Sequence, residues 1–155
     1  MKPANLVQIA AMTVQDILDL EPLESITHLS FWGTEHYTRF LEQQEYFSRQ
    51  AVATLAPGVT RMVGFFLARA ILENLELLKI GVYPEFQNLG IGTRLLNAAF
   101  DEGLKRGCLR CFLEVRKSNE AAIKFYHNHQ FNIAGERINY YTGPVEDAWI
   151  MERWL

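Results

Sequence analysis

The chain has little cysteine: two in 155 residues, too few for a scaffold held together by disulfides. Basic residues are not in excess either. Fifteen Lys and Arg against eighteen Asp and Glu leave a net charge of −3. The sequence therefore carries no footprint for neutralising phosphates, and no direct nucleic-acid partner is expected. Long apolar runs are also missing. The longest, "MVGFFLA", stops at Arg69, far short of the roughly 20 residues a membrane helix needs. The opening "MKPANLVQIAAMTVQDILDL" has no clean apolar stretch ahead of its acidic residues. No signal peptide is read there, so the expected location is cytoplasmic, with no membrane partner. Repeats, low-complexity tracts and Ser/Gly-rich linkers are absent. What remains is 49% hydrophobic and 21% charged, an ordinary globular balance, and residues 1–155 are read as a single domain.

Periodicity then divides the chain. "NLVQIAAM" reads as a first strand, and Thr13 suits the N-cap of a helix over "VQDILDLEPLE". A second helix is placed from Thr34 through "TEHYTRFLEQQ". Three strand candidates follow: "QAVATL", "RMVGFFLARAIL" and "ELLKIGV". "APGVT" turns the first into the second as a hairpin, and the middle one is long enough to bulge. From residue 93 the period lengthens. Leu96, Phe100 and Leu104 recur beside Leu95 and Ala99, which makes one helix face apolar, with Gly107 as the stop. "LRCFLEVR" alternates as a strand, with Leu109, Cys111, Leu113 and Val115 on one face and Arg110, Phe112, Glu114 and Arg116 on the other. Ser118 or Asn119 caps a helix that runs to about His129, and "FNIAGERINYYTGPVEDAWIMERWL" forms two strands around a polar loop. The order β-αα-βββ-α-β-α-ββ is α/β or α+β, with one mixed sheet covered by helices.

The stretch "GVYPEFQNLGIGTRLL" places a glycine pair between a strand and a helix. A P-loop needs Lys after its second glycine, and Thr93 stands there. A dinucleotide fingerprint needs a third glycine where Leu95 stands. Gln87, Gly90 and Gly92 fit instead a loop whose backbone N–H groups open onto a helix N-terminus, an anion site suited to a pyrophosphate. They fit a plain β–α turn equally well.

Downstream residues break the tie. "LLKIGVYPEFQNLGIGTRLLNAAFDEGLKRG" followed by "LEVRKSNEAAIKFYHNHQF" resembles the GNAT superfamily of acyl-CoA-dependent N-acetyltransferases. "LEVRKSNEAAIKFY" and "RINYYTGPVEDAWIM" look more narrowly like the RimI type, the bacterial N-terminal-alanine acetyltransferases of a small-subunit ribosomal protein. The likeness covers residues 60–155 by motif and the first 60 by element order only. It implies a mixed, mostly antiparallel sheet of about six to seven strands flanked by about four helices. It implies acetyl-CoA as cosubstrate, no metal, and direct transfer to an amine. Carried over by position, Glu114 is the general base and Tyr126 the general acid. Ile80, Gly81 and Val82 border the pantetheine arm. Gln87, Asn88, Leu89, Gly90, Ile91, Gly92 and Thr93 form the pyrophosphate loop, and Asn119 is a further CoA contact. Tyr140 and Tyr141 border the acceptor peptide.

The residue chemistry accommodates these roles. A carboxylate at a strand end can take an amine proton, directly or through water. A tyrosine, of reference pKa near 10, can hydrogen-bond to or protonate a thiolate of about 8.5. On composition alone, Glu114 is a solvated residue paired with Arg116, and Tyr126 a core tyrosine. An α-amine lies roughly 2.6 pKa units below a lysine amine, about 3.5 kcal/mol easier to present neutral at neutral pH, which favours an N-terminal acceptor. Lysine or small-amine acetylation is the alternative within the class, and a non-catalytic acyl-CoA-binding module the alternative outside it. Two residues depart from the family pattern: Thr93 replaces a basic residue, and Gln130 replaces a glycine helix stop. "CLRC" and "HNH" carry no metal or disulfide reading, because alternation sets Cys108 and Cys111 on opposite faces and H-x-H points its rings apart.

Overall fold

The computed structural model describes residues 6–26, 29 and 32–155. Seven strands form one sheet in the order β1-β2-β3-β4-β5-β7-β6. They are β1 (Val7–Ala10), β2 (Tyr46–Ala56), β3 (Val59–Ile71), β4 (Asn74–Val82), β5 (Arg110–Arg116), β6 (Asn132–Tyr141) and β7 (Glu146–Trp154). Every pairing is antiparallel except β4 with β5, the parallel pair, which needs a crossover between its strands. That crossover is α4 (Ile91–Lys105). The mixed, mostly antiparallel sheet matches the expected fold class.

The four expected helices are present, with the first divided into α1 (Val14–Leu18) and α2 (Glu21–Ile26). Thr13 caps α1 in a capping box: its hydroxyl accepts from the Asp16 N–H at 3.2 Å, and Asp16 accepts from the Thr13 N–H at 2.7 Å. The helix cannot run on to residue 24, because Pro22 lacks an N–H and its ring would strike the carbonyl four residues back. Pro22 is tolerated instead in the first turn of α2. α3 spans Gly33–Glu42 and α5 spans Glu120–Asn128.

The two faces of the sheet bury separate apolar groups. On one, α4 and α5 cover a core that includes Phe66, Leu75, Leu95, Leu96, Leu113 and Phe131. On the other, Ile17, Leu23, Tyr37 and Phe40 of the N-terminal helices, with Leu20 from the turn between α1 and α2, pack on Phe65 and Leu67 of β3. Phe65 and Phe66 are consecutive, so alternation along one strand supplies both cores.

Local expectations are corrected at three places. Leu104 is 50% exposed. Gly103 faces the sheet instead, and a Cβ there would come within 2.9 Å of Leu75 Cδ2. Leu109 lies outside β5 and is half exposed. Cys108 sits in the turn before β5, and both cysteines are free and buried in the same core, not on opposite faces. Gln130 does adopt the left-handed form, at φ 65. Its N–H donates to the His127 carbonyl and that of Phe131 to the Tyr126 carbonyl, both at 3.0 Å. α5 thus ends as a glycine would have ended it, at a cost of about 1 kcal/mol.

Candidate active-site cleft

The parallel pairing of β4 with β5 is short. Asn74, Leu75 and Glu76 face Arg110, Cys111 and Phe112, and beyond that point the strands part. β4 continues to Val82 along β3 alone, so its far edge turns backbone N–H and C=O groups into the gap. The gap opens into a cleft of about 1040 Å³. Ile80, Gly81 and Val82 line one wall, Glu114, Val115 and Arg116 the other. Close packing behind the first wall is enforced at Gly64, where a Cβ would lie 2.8 Å from the Gly81 carbonyl oxygen.

One end of the cleft is the loop into α4. Asn88 and Gly90 both have left-handed φ values, 59 and 77. The first helical hydrogen bond runs from the Arg94 N–H to the Gly90 carbonyl, and no side chain caps the N-terminus. The amides of Ile91, Gly92 and Thr93 are therefore turned outward at the positive end of a 15-residue helix. Gln87 braces the loop by donating from Nε2 to the Val82 carbonyl at 3.0 Å. Gln87, Asn88, Gly90, Gly92, Thr93 and Asn119 line the cleft, whereas Ile91 is buried and Leu89 packs on the core, leaving only their backbones for a ligand. Asn119 uses its side chain to cap α5, accepting from the Ala122 N–H at 3.1 Å.

Sequence reasoning did not foresee what holds α5 against this loop. A Cβ on Gly92 would meet the Phe125 ring at 3.4 Å. The His129 Nδ1 lies 2.7 Å from the Phe125 carbonyl oxygen and its Nε2 lies 3.0 Å from Thr93 Oγ1. A carbonyl only accepts, so Nδ1 carries the proton.

The other end carries Glu114 and Tyr126, the residues expected to serve as base and acid. Glu114 is paired not with Arg116 but with Arg137 of β6, and the Tyr140 hydroxyl lies beside the same carboxylate. Arg116 pairs with Glu146 at 3.3 Å. Partial burial, and then Glu114, push Tyr140 up to about 12; burial and Glu114 do the same to Tyr141. Tyr126 is buried beside Phe125 and Phe131 and also lines the cleft. Burial raises its hydroxyl well above the usual tyrosine value, with Cys111 and Tyr141 adding to the effect, so it keeps its proton.

Beside this pair lies a buried ionic group that the sequence reading missed. Lys79 is paired with Glu24, the Tyr37 hydroxyl donates to the same carboxylate, and Lys79 Nζ stands 4.5 Å over the Trp32 ring. Burial pushes the Lys79 ammonium down from its ordinary value, and Glu24 opposes that. Its signal was a lone lysine between Leu78 and Ile80 in an apolar strand. Arg137 and His129 had no local signal, since their partners lie 23 and 36 residues away.

A splayed pair of parallel strands, an anion-ready helix N-terminus at one end and a carboxylate with a buried phenol at the other define the class. Such a cleft has the shape for an extended phosphate-bearing ligand, with a carboxylate and a phenol at its far end. The profile of the Acetyltransferase (GNAT) family matches residues 16–131, and the chain belongs to that family. Over 93 residues it is 43% identical to the [ribosomal protein bS18]-alanine N-acetyltransferase of Escherichia coli, covering 59% of this chain and 63% of that protein. A putative enzyme of the same description from Bacillus subtilis is 26% identical over 140 residues, 90% of each chain. The crystal structure of the ribosomal-protein-S18-alanine N-acetyltransferase from Escherichia coli superposes with a TM-score of 0.81 at 31% identity, covering 96% of this chain and 93% of that one.

Proposed function

We propose that the chain is an acetyl-CoA-dependent N-acetyltransferase whose acceptor is the N-terminal alanine of a small-subunit ribosomal protein. The carrying observation is that one cleft joins the α4 loop to Glu114 and Tyr126. Residues 88–93 would hold the pyrophosphate by backbone N–H groups, and the free edge of β4 would pair with the pantetheine arm as an added strand does. Asn119 would contact the CoA through groups its cap leaves over.

The transfer forms one N–C bond and breaks one C–S bond. The neutral amine attacks the thioester carbonyl, Glu114 takes the proton it sheds, and the thiolate leaves toward Tyr126. Arg137 occupies part of the Glu114 carboxylate, with Tyr140 beside it, and a carboxylate has about four acceptor positions, so room remains for an amine. The raised Tyr126 hydroxyl gives its proton up reluctantly to a thiolate whose thiol has a pKa of about 8.5, so its main service is a hydrogen bond to the departing sulfur. An α-amine, roughly 2.6 units easier to deprotonate than lysine, is the acceptor that one carboxylate can serve. Tyr140 and Tyr141 border the path of that acceptor. The reading requires a cytoplasmic location, where ribosomal proteins are made.

The test is thiol release from acetyl-CoA with an alanine-starting ribosomal peptide, a lysine peptide blocked at its N-terminus, and small amines. Release with the first alone supports the proposal. Release with only the others would move the acceptor to lysine or small amines, and tight acetyl-CoA binding without any release would leave a binding module.

A further inference from the structure

Consecutive residues of a strand normally face opposite sides of the sheet. Tyr140 and Tyr141 nevertheless both line the cleft, with their rings 5.1 Å apart at 83°. The register of β6 explains how. Arg137 pairs with Ala148 and Tyr141 with Glu146, so Ile138, Asn139 and Tyr140 together stand opposite Asp147 alone. Skipping this excursion, Tyr141 keeps the face of Arg137 and Arg116, and the Arg116 guanidinium stands 4.2 Å over its ring. Tyr140 would point away in a regular ladder. Asn139 instead adopts φ 53, a form asparagine tolerates and β-branched residues do not, and the chain turns Tyr140 back onto Glu114.

The excursion takes the Asn139 N–H out of the ladder. Asp147 Oδ1 accepts it at 2.8 Å. Asp147 Oδ2 lies 3.3 Å from Lys117 Nζ, and Lys117 is itself fixed by Glu136 and by the Trp149 ring 4.1 Å away. The Asn139 N–H, and after it Lys117, hold the Asp147 carboxyl below its usual range. Neither Asn139 nor Asp147 lines the cleft.

We infer that Asn139 and Asp147 are positioning residues for acceptor recognition: the Asp147 carboxylate holds a left-handed kink at Asn139 that delivers both tyrosines to the Glu114 side of the cleft, where they orient the acceptor. This rests on the acceptor reading above. The two tyrosines form a right-angled aromatic pair beside Glu114, and losing the kink returns Tyr140 to the opposite face without touching the α4 loop or the β4 edge.

Four variants test it: Asp147→Ala, Asp147→Asn, Asn139→Val and Asn139→Gly. Each is assayed for kcat/KM with the alanine-starting peptide, for acetyl-CoA affinity by calorimetry, and for exchange of the residue-139 amide by NMR. Asp147→Ala and Asn139→Val should lose roughly 10- to 100-fold in kcat/KM for peptide with acetyl-CoA affinity unchanged. Asp147→Asn keeps an oxygen acceptor and Asn139→Gly keeps the left-handed form, so both should stay near the parent. Asp147→Ala should also speed exchange at residue 139. Parent-like peptide kinetics in Asp147→Ala, or an equal loss of acetyl-CoA binding, would overturn the inference. If the parent acetylates no peptide, the acceptor reading and this recognition role fail together. Exchange at residue 139 then separates them from the kink, which stands if Asp147→Ala speeds it and falls if it does not.

Discussion

Replacing Lys79 with methionine removes a charge from the most deeply buried ion pair among the described residues and leaves Glu24 where it is. The side chains of Lys79 and Glu24 are 3% and 1% exposed. Water cannot compensate a carboxylate held there, and breaking such a pair from one side costs about 3–5 kcal/mol. Domains of this kind have a total stability of roughly 5–15 kcal/mol, so the loss is a large share of it. At about 2–4 °C per kcal/mol for a chain of this length, the melting temperature should fall by roughly 6–20 °C. The pair Arg39–Glu35 supplies the control: it spans 3.5 Å, but its side chains are 70% and 85% exposed. Arg39→Ala should cost under about 1 kcal/mol. Removing both buried charges, as Lys79→Met with Glu24→Leu, should recover most of the single loss, because no charge is then stranded. Urea unfolding at constant slope measures all three. A Lys79→Met cost below about 1 kcal/mol, or a double variant no better than the single, would refute the reasoning.

Three further outcomes are expected. Gly64→Ala forces a Cβ against the Gly81 carbonyl at 2.8 Å, so it should cost about 1–3 kcal/mol and weaken acetyl-CoA binding through the displaced cleft wall, read by calorimetry and chemical denaturation. At Gly90 the φ of 77 leaves open space for a Cβ, so Gly90→Val should act through backbone strain of roughly 1–2 kcal/mol or by straightening the loop, raising the dissociation constant for acetyl-CoA. Tyr37, Tyr126, Tyr140 and Tyr141 are all raised above the ordinary value of 10.0, the last two to about 12. Because the folded values exceed the unfolded one, their contribution is complete below about pH 10 and is lost as pH rises toward 12, so a stability titration should fall across that window. A flat profile there would contradict the burial of these hydroxyls.

What could be read from the sequence was what local chemistry decides. Strand alternation over Cys111, Leu113 and Val115, the Thr13 cap and the Gly107 stop each follow from a few neighbouring residues, and the element order follows from them. The resemblance located Glu114, Tyr126 and the 87–93 loop, and the structure gathers their lining residues along one cleft. What it did not locate depends on distant partners. Arg137 reaches Glu114 only because β6 and β5 both flank β7, and Lys79 meets Glu24 only because α2 lies on β4. The common face of Tyr140 and Tyr141 breaks the alternation rule, since it needs the unpaired residues around Asn139. Leu104 falls outside the buried stripe of α4 because Gly103, one position earlier, permits the closer contact with β4.

The central claim is that this cleft delivers an acetyl group to an α-amine. A peptide beginning with alanine and carrying an internal lysine, incubated with the protein and acetyl-CoA, tests it in one measurement. Tandem mass spectrometry of the product should place a single acetyl group on the N-terminal nitrogen. Acetyl on the lysine alone, or an unmodified peptide beside a protein saturated with acetyl-CoA, would contradict the account.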